Sequence, residues 1–343
     1  MFFQYGYLLD KQIILQNDPN GMHSMYDNWA NIAYDAYNLD LESIDFKNID
    51  HVVFSGMGGS GTIGDVLSAI LSKTNIHTTI VKGYTLPNTI DKNTLVITTS
   101  VSGNTIETYT TLESANKKNC SMIAFSSGGK IESFCQKNNI EHRKIPLTHS
   151  PRASLPGYVY SILKTLNSIV PISKQEIQNS LTQLHDISKQ ISSENLNNNN
   201  PSLNLASWIT GIPIVYYPWG LEASATRFKN SLQENAKTNA MIENVIETSH
   251  NGIVSWERSS NMNPIMIIGK DDHDKTKERW KILREYFETN GIDYKEIFTV
   301  DGNILSKIMC LIYMLDFSTI YYAIKLGIDP SPVKSIDFIK ERL

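Results

Sequence analysis

Cysteine is scarce. The 343 residues hold three, Cys120, Cys135 and Cys310, without paired spacing, so neither a disulfide framework nor a cysteine zinc site is indicated. A reducing cytoplasm is the compartment this composition suggests. An excess of basic charge is missing too: 31 Lys and Arg stand against 35 Asp and Glu, for a formal net charge of −4, which leaves no basic footprint for nucleic acid. Clusters such as Lys275–Arg279 are interleaved with acids and read as solvated helix faces. No uninterrupted apolar run reaches the roughly 18 residues of a membrane span, and Ile308–Leu315 stops at Asp316. Met1–Asp10 lacks the basic start and apolar core of an export signal. His142, His149, His185 and His273 have no carboxylate or cysteine partners at ligand spacing, so no bound metal is expected.

What is present reads as a globular α/β chain. A 41% hydrophobic and 19% charged content at this length supplies two substantial cores. Short β-rich runs at His51–Phe54, His77–Val81, Leu95–Thr98, Met122–Phe125 and His142–Ile145 alternate with helical patterns, the signature of βαβ units in a doubly wound parallel sheet. After Pro156 two helical patterns lead to an Asn-rich tract ending at Pro201, read as a surface linker. The second half repeats the layer less regularly. Ile212–Tyr217 and Pro264–Ile268 are expected strands, Gly252–Trp256 and Tyr294–Val300 further candidates, Glu222–Ala236 a helix, and Ile304–Leu326 a long apolar helix ending at Gly327. The expected division is an N-terminal layer with a helical lead-in over 1–155, a helical connection and linker over 156–200, and a C-terminal layer with its final helix over 201–343.

Two strand-to-helix turns carry the chemistry of the first layer. Ser100-Val101-Ser102-Gly103-Asn104-Thr105 brings three hydroxyls to a helix start, where free N–H groups and the helix dipole hold an anion. An ordinary N-cap is the rival reading. Gly56-Met57-Gly58-Gly59-Ser60-Gly61 fits G-x-G-x-x-G, but the next strand closes on Lys82-Gly83-Tyr84 without the acidic residue a nucleotide ribose needs. A ligand with one phosphate and many hydroxyls suits these turns better than a dinucleotide.

Three residues elsewhere draw notice on position. Arg152, in Pro151-Arg152-Ala153, stands at the rim of the first layer, where it either points into the cleft or caps a helix. Glu234 closes the Glu222–Ala236 helix, with Asn235 in a capping position and Lys237 at salt-bridge spacing. His250 lies outside regular elements, beside an expected strand, and could carry a proton near neutral pH.

Taken in order, the two turns, Ser127-Gly128-Gly129, Pro151-Arg152-Ala153, Glu234-Asn235-Ala236-Lys237, His250-Asn251 and Gly327-Ile328-Asp329-Pro330 resemble the bifunctional phosphoglucose/phosphomannose isomerases of the sugar isomerase (SIS) superfamily. The resemblance covers nearly the whole chain. It implies two SIS-type αβα domains and reversible isomerisation of glucose 6-phosphate and mannose 6-phosphate to fructose 6-phosphate through a cis-enediol. It further implies that Ser100, Ser102 and Thr105 hold the phosphate, with Gly59 and Ser60 across the cleft. Glu234 would be the base and Arg152 would steady the enediolate, while His250, from the neighbouring subunit of a homodimer, and Lys340 would open the ring. No cofactor or metal is implied.

The chain departs from the family pattern at Gly252, where an acid is frequent, and at Gln233, where Asn is usual. Neither change removes an implied catalytic group. A phosphosugar sensor needs only the anion cup, and the coincidence of Arg152, Glu234 and His250 argues for an enzyme instead. An isomerase of another phosphosugar is the remaining alternative, disfavoured by the two-domain length.

Overall fold

The computed structural model describes residues 9–343. The N-terminal stretch weighed as an export signal lies, through Leu8, outside them. Three short helices, α1 (Lys11–Asn17), α2 (Met22–Asp27) and α3 (Trp29–Asn38), lead into the first layer. There β1 (His51–Ser55), α4 (Gly58–Leu71), β2 (His77–Val81), β3 (Thr94–Ser100), α5 (Ile106–Ala115), β4 (Ser121–Ser126), α6 (Gly129–Asn138) and β5 (Glu141–Lys144) follow in turn. A helical stretch, α7 (Leu155–Thr165), α8 (Lys174–Ile191) and α9 (Pro201–Trp208), precedes the second layer. That layer comprises β6 (Ile212–Tyr217), α10 (Glu222–Asn235), β7 (Met241–Asn244), α11 (Val245–Thr248), β8 (Met262–Ile268), α12 (Asp274–Thr289) and β9 (Lys295–Phe298). Helices α13 (Ile304–Lys325) and α14 (Lys334–Lys340) complete the chain.

Both sheets are parallel, in the orders β2-β1-β3-β4-β5 and β7-β6-β8-β9. In the first, the order reverses between β1 and β3, and the crevice beyond their carboxyl ends is where such sheets bind ligands. The two Gly/Ser turns leave those two strands.

Period-two alternation sorts the strand side chains between cores. Val52, Phe54, Leu95, Ile97, Ile123 and Phe125 enter one large core, which also receives Val215, Ile265 and Ile267 from the second sheet. Their neighbours Val53 and Val96 face a separate cluster, and Tyr216, Met266 and Ile268 face another built on Trp280 and Phe287. The layers therefore stand back to back around a common interior, with α13 running through it. By length and composition α13 is apolar enough to cross a membrane, although Asp316 breaks its longest apolar run, and 94% of its apolar window is buried in the protein. It is a core helix.

The second layer corrects one expectation and adds one strand. Gly252–Glu257 is a 3-10 helix and not a strand, because Trp256 packs edge-on against Phe287 at 5.3 Å and donates to the Tyr216 hydroxyl at 2.9 Å, which leaves no ladder to join. The missing strand is β7, four residues paired only with β6. At the close of the Asn-rich tract, Asn200 is wholly buried. Its amide caps α9 through Leu203 N–H and donates to the carbonyls of Ile191 and Asn195.

Candidate active site

The cup after β3 is built on a buried serine. Ser100 donates its hydroxyl to Thr105 Oγ1 at 3.0 Å, and Ser102, exposed, accepts from Asn104 N–H at 3.3 Å. Thr105 occupies the N-cap position of α5 yet makes no side-chain cap bond, so the capping alternative does not account for it. Met57, the N-cap of α4, makes none either. Two helix starts thus stand at the switch point without side-chain caps, each concentrating N–H groups and positive dipole. Gly103 holds the cup's turn at φ 69°, where a Cβ would fall 1.8 Å from the Gly128 carbonyl oxygen. The next strand-to-helix turn braces it: Ile131 N–H donates to Gly103 O at 3.0 Å, and Lys130 N–H to Asn104 Oδ1 at 3.1 Å.

Three consecutive residues at the start of α4 join the parts of the site. Ser60 accepts the Val101 N–H at 3.2 Å, tying the glycine turn to the cup. Gly59 lies against Arg152, with a hypothetical Cβ 3.5 Å from Arg152 Cα. Gly58 lines a cavity of about 760 Å³ whose wall also includes Glu234, Lys237, Val333 and Ile336.

Arg152 is 4% exposed, so it is not a surface arginine, and its side-chain hydrogen bonds reach no helix-terminal backbone carbonyl. Its Nε donates to Asn235 Oδ1 at 2.7 Å and its Nη2 to the carbonyls of Pro330 and Ser331 at 2.7 and 2.8 Å. Its Nη1 is directed at Glu234 Oε2, 3.5 Å away. A planar fork held on three acceptors presents its remaining edge to the carboxylate.

Asn235 turns inward as the last residue of α10, wholly buried, and donates to Thr319 Oγ1 at 2.8 Å. It positions Arg152 where the sequence suggested a cap. Lys237 does not pair with the Glu234 carboxylate. At φ 55°, it places its ammonium on the carbonyls of Glu234 at 2.6 Å and Pro332 at 2.8 Å, with those of Asn235 and Pro330 at 3.3 and 3.4 Å. Burial lowers its pKa from the ordinary lysine value and the nearby Arg152 charge adds to this, while Asp329 and Glu234 oppose.

Two expected residues stand apart from this group within one chain. His250 is exposed beyond α11, its N–H on Glu247 O at 2.9 Å, and it does not line the Glu234 cavity. Lys340 is exposed on α14, one turn beyond the cavity-lining Ile336. Among the described residues no group of three or more His, Cys, Asp or Glu gathers as a ligand set.

The residues that sequence reasoning passed over are Arg227 and Asp316. Arg227 lies seven positions before Glu234 on α10, and Asp316 is the residue that broke the apolar run of α13. Both are buried, and they pair at 2.6 Å beneath Arg152. Their helical spacing to Glu234 and Thr319 was the available signal.

Two back-to-back parallel layers, with helix starts lacking side-chain caps at the switch point of the first, define an α/β protein of the SIS type. Residues 45–168 match the SIS domain, and residues 198–343 match the bacterial phospho-glucose isomerase C-terminal SIS domain. The chain belongs to the bifunctional phosphoglucose/phosphomannose isomerase family. It is 30% identical over 339 residues to the Caldicellulosiruptor bescii protein of that name, covering 95% of this chain and 97% of the relative. To the Aquifex aeolicus protein of the same name it is 31% identical over 321 residues, covering 90% and 95%. Among solved structures, a hypothetical protein of Thermus thermophilus superposes with a TM-score of 0.73 at 13% identity, over 93% of this chain and 90% of that one, a likeness of fold alone.

Proposed function

We propose that the protein isomerises fructose 6-phosphate reversibly to glucose 6-phosphate and mannose 6-phosphate, at the site formed by Glu234, Arg152 and the cup. The observation that carries this reading is the start of α4, where Gly58, Gly59 and Ser60 touch the Glu234 cavity, Arg152 and the cup in succession. A phosphate in the cup, held by Ser100, Ser102, Thr105 and the helix starts, anchors the end of the sugar remote from reaction, and its binding energy orients the reacting carbons.

Glu234 takes a proton from C1 of the open-chain ketose and returns it to C2, while a proton passes from O1 to O2. The intermediate is a cis-enediol, and negative charge develops on its oxygens. Arg152 offers Nη1 on the Glu234 side and stabilises that charge without reorganising, since its other donors are held by Asn235 and two carbonyls. Return of the proton to one face of C2 gives the glucose epimer, and to the other the mannose epimer.

A homodimer completes the site in this reading. His250 is exposed and away from the cavity of its own chain, as a residue serving a neighbour would be. Phe338 and Ile339 of α14 are more than half exposed, which gives a second copy apolar surface to cover. The direct assay is incubation with fructose 6-phosphate and chromatographic quantitation of both aldose phosphates, with fructose as the control. Formation of both products from the phosphate alone supports the reading, and absence of both overturns it.

A further inference from the structure

A buried polar ladder crosses the contact between α10 and α13. On α10, Arg227, Ser231 and Asn235 recur every four residues and so share one helix face. Opposite them, Asp316 and Thr319 lie one turn apart on α13, and all five residues are buried. Asp316 Oδ2 accepts from Arg227 Nε at 2.8 Å and from the Tyr26 hydroxyl at 3.2 Å, and it lies 2.6 Å from Arg227 Nη2 as an ion pair. Its Oδ1 accepts from Ser231 at 2.7 Å. Both ends of the ladder finish on the same residue. Arg227 Nη2 donates to the Arg152 carbonyl at 2.8 Å, and Asn235 holds the Arg152 guanidinium. Arg227 Nη1 also underlies Gly59, 3.4 Å from where a Cβ would sit.

Stability alone does not account for a charge pair in this place. Well-packed apolar side chains of similar volume are often at least as stable as a buried ion pair, because desolvation offsets the attraction. Burial opposes the charge on Arg227, and the Asp316 carboxylate overcomes it, raising the pKa so that the guanidinium stays charged. What apolar side chains cannot supply is a directed donor at the Arg152 carbonyl.

We propose that Arg227 and Asp316 are positioning residues, which hold the Pro151–Ala153 turn against the start of α4 so that the Arg152 guanidinium meets Glu234 in register. Neither touches substrate. The proposal rests on the reading of Arg152 and Glu234 as the reacting groups. A misplacement of about 1 Å at such a group costs about 100-fold in rate.

The test is a cycle on the full-length protein with fructose 6-phosphate. The double variant Arg227→Met, Asp316→Leu replaces the pair with apolar side chains. Arg227→Lys keeps the charge but lacks the fork that reaches Asp316 and the Arg152 carbonyl together, and it serves if the double variant does not fold. Each is assayed alone and combined with Arg152→Ala, beside a thermal melt. The expected result is a kcat lowered about 10- to 100-fold with KM within about threefold, a retained melting temperature, and no further loss in the Arg152→Ala background. Unchanged kcat in both folded variants, or losses that multiply beside an impaired Arg152→Ala, overturn the proposal alone. A fully active Arg152→Ala overturns the site reading and this proposal with it.

Discussion

Arg152 and Asn235 meet across the seam between the two layers, the arginine Nε–H donating to the amide Oδ1 at 2.7 Å with both side chains buried. The first layer supplies the cation and the second supplies its orientation. Glu234, one residue before Asn235, comes from that same second layer, so the pair proposed to react comes together only when the layers are assembled.

Arg152→Lys tests the fork. A lysine ammonium cannot satisfy Asn235, the carbonyls of Pro330 and Ser331, and the Glu234 side at once. The expected outcome is a kcat lower by about 10²- to 10³-fold with a smaller change in KM, read by steady-state kinetics on fructose 6-phosphate. Near-normal kcat would mean that a point charge suffices.

The cup has its own test in Gly103→Ala. A methyl at φ 69° and 1.8 Å from the Gly128 carbonyl oxygen forces the turn apart. Unfolding in urea should show a loss of at least about 2 kcal/mol. In the proposed reading the cup holds the phosphate whose binding energy orients the reacting carbons, so KM should rise and kcat should fall together. An unchanged KM with a folded variant would place the cup outside substrate binding.

Sharing of the site between subunits is tested by mixing two inactive variants. Glu234→Gln retains His250, and His250→Ala retains Glu234. Co-refolding the two should restore activity that neither shows alone, since a mixed dimer holds one intact site. Failure to restore it, with dimers demonstrated by ultracentrifugation, would assign His250 to its own chain or to no step.

A pH dependence follows from Asp18. Buried before α2, it accepts from Met22 N–H at 3.0 Å and from His23 N–H and Nδ1, each at 2.7 Å. Burial alone would raise its pKa, but the His23 bonds and the Met22 N–H prevail and hold it below the ordinary carboxylate value. Its contribution is therefore complete above the unfolded value of about 4 and is lost as pH falls through the lower folded value. Asp18→Ala should cost about 1 kcal/mol or more at pH 7, with the gap to wild type closing toward pH 3 in urea melts. A gap of constant size would show that the carboxylate charge is not what stabilises α2.

The first layer was legible because its strands are continuous β-rich runs and its turns are marked by Gly and Ser. The second was less so. Strand β7 is short and ends in Glu243 and Asn244, while Ile253 and Trp256 carry strand-like character but serve as anchors against α12. Arg152, Glu234 and the cup residues are candidates from position and resemblance, and the fold brings Arg152 to within 3.5 Å of Glu234. Asp316 was read as a break in an apolar run, and Arg227 drew no notice on an otherwise mixed helix, because a buried charge is visible only through the partner that faces it. Asn235 was misread for the same reason: an Asn at a helix end reads as a cap until Arg152 and Thr319 are seen to flank it.

The central claim is that Glu234 moves a proton between C1 and C2 of the bound sugar. Fructose 6-phosphate incubated with the protein in deuterated water, with products examined by NMR and mass spectrometry, tests it directly. The account predicts glucose and mannose 6-phosphates carrying deuterium at C2 to the extent that the proton held on the Glu234 carboxyl exchanges with solvent during the lifetime of the enediol, with the directly transferred fraction retaining protium, and no product with Glu234→Gln. Product formation undiminished in that variant, or transfer to C2 by a route independent of the carboxylate, would contradict it.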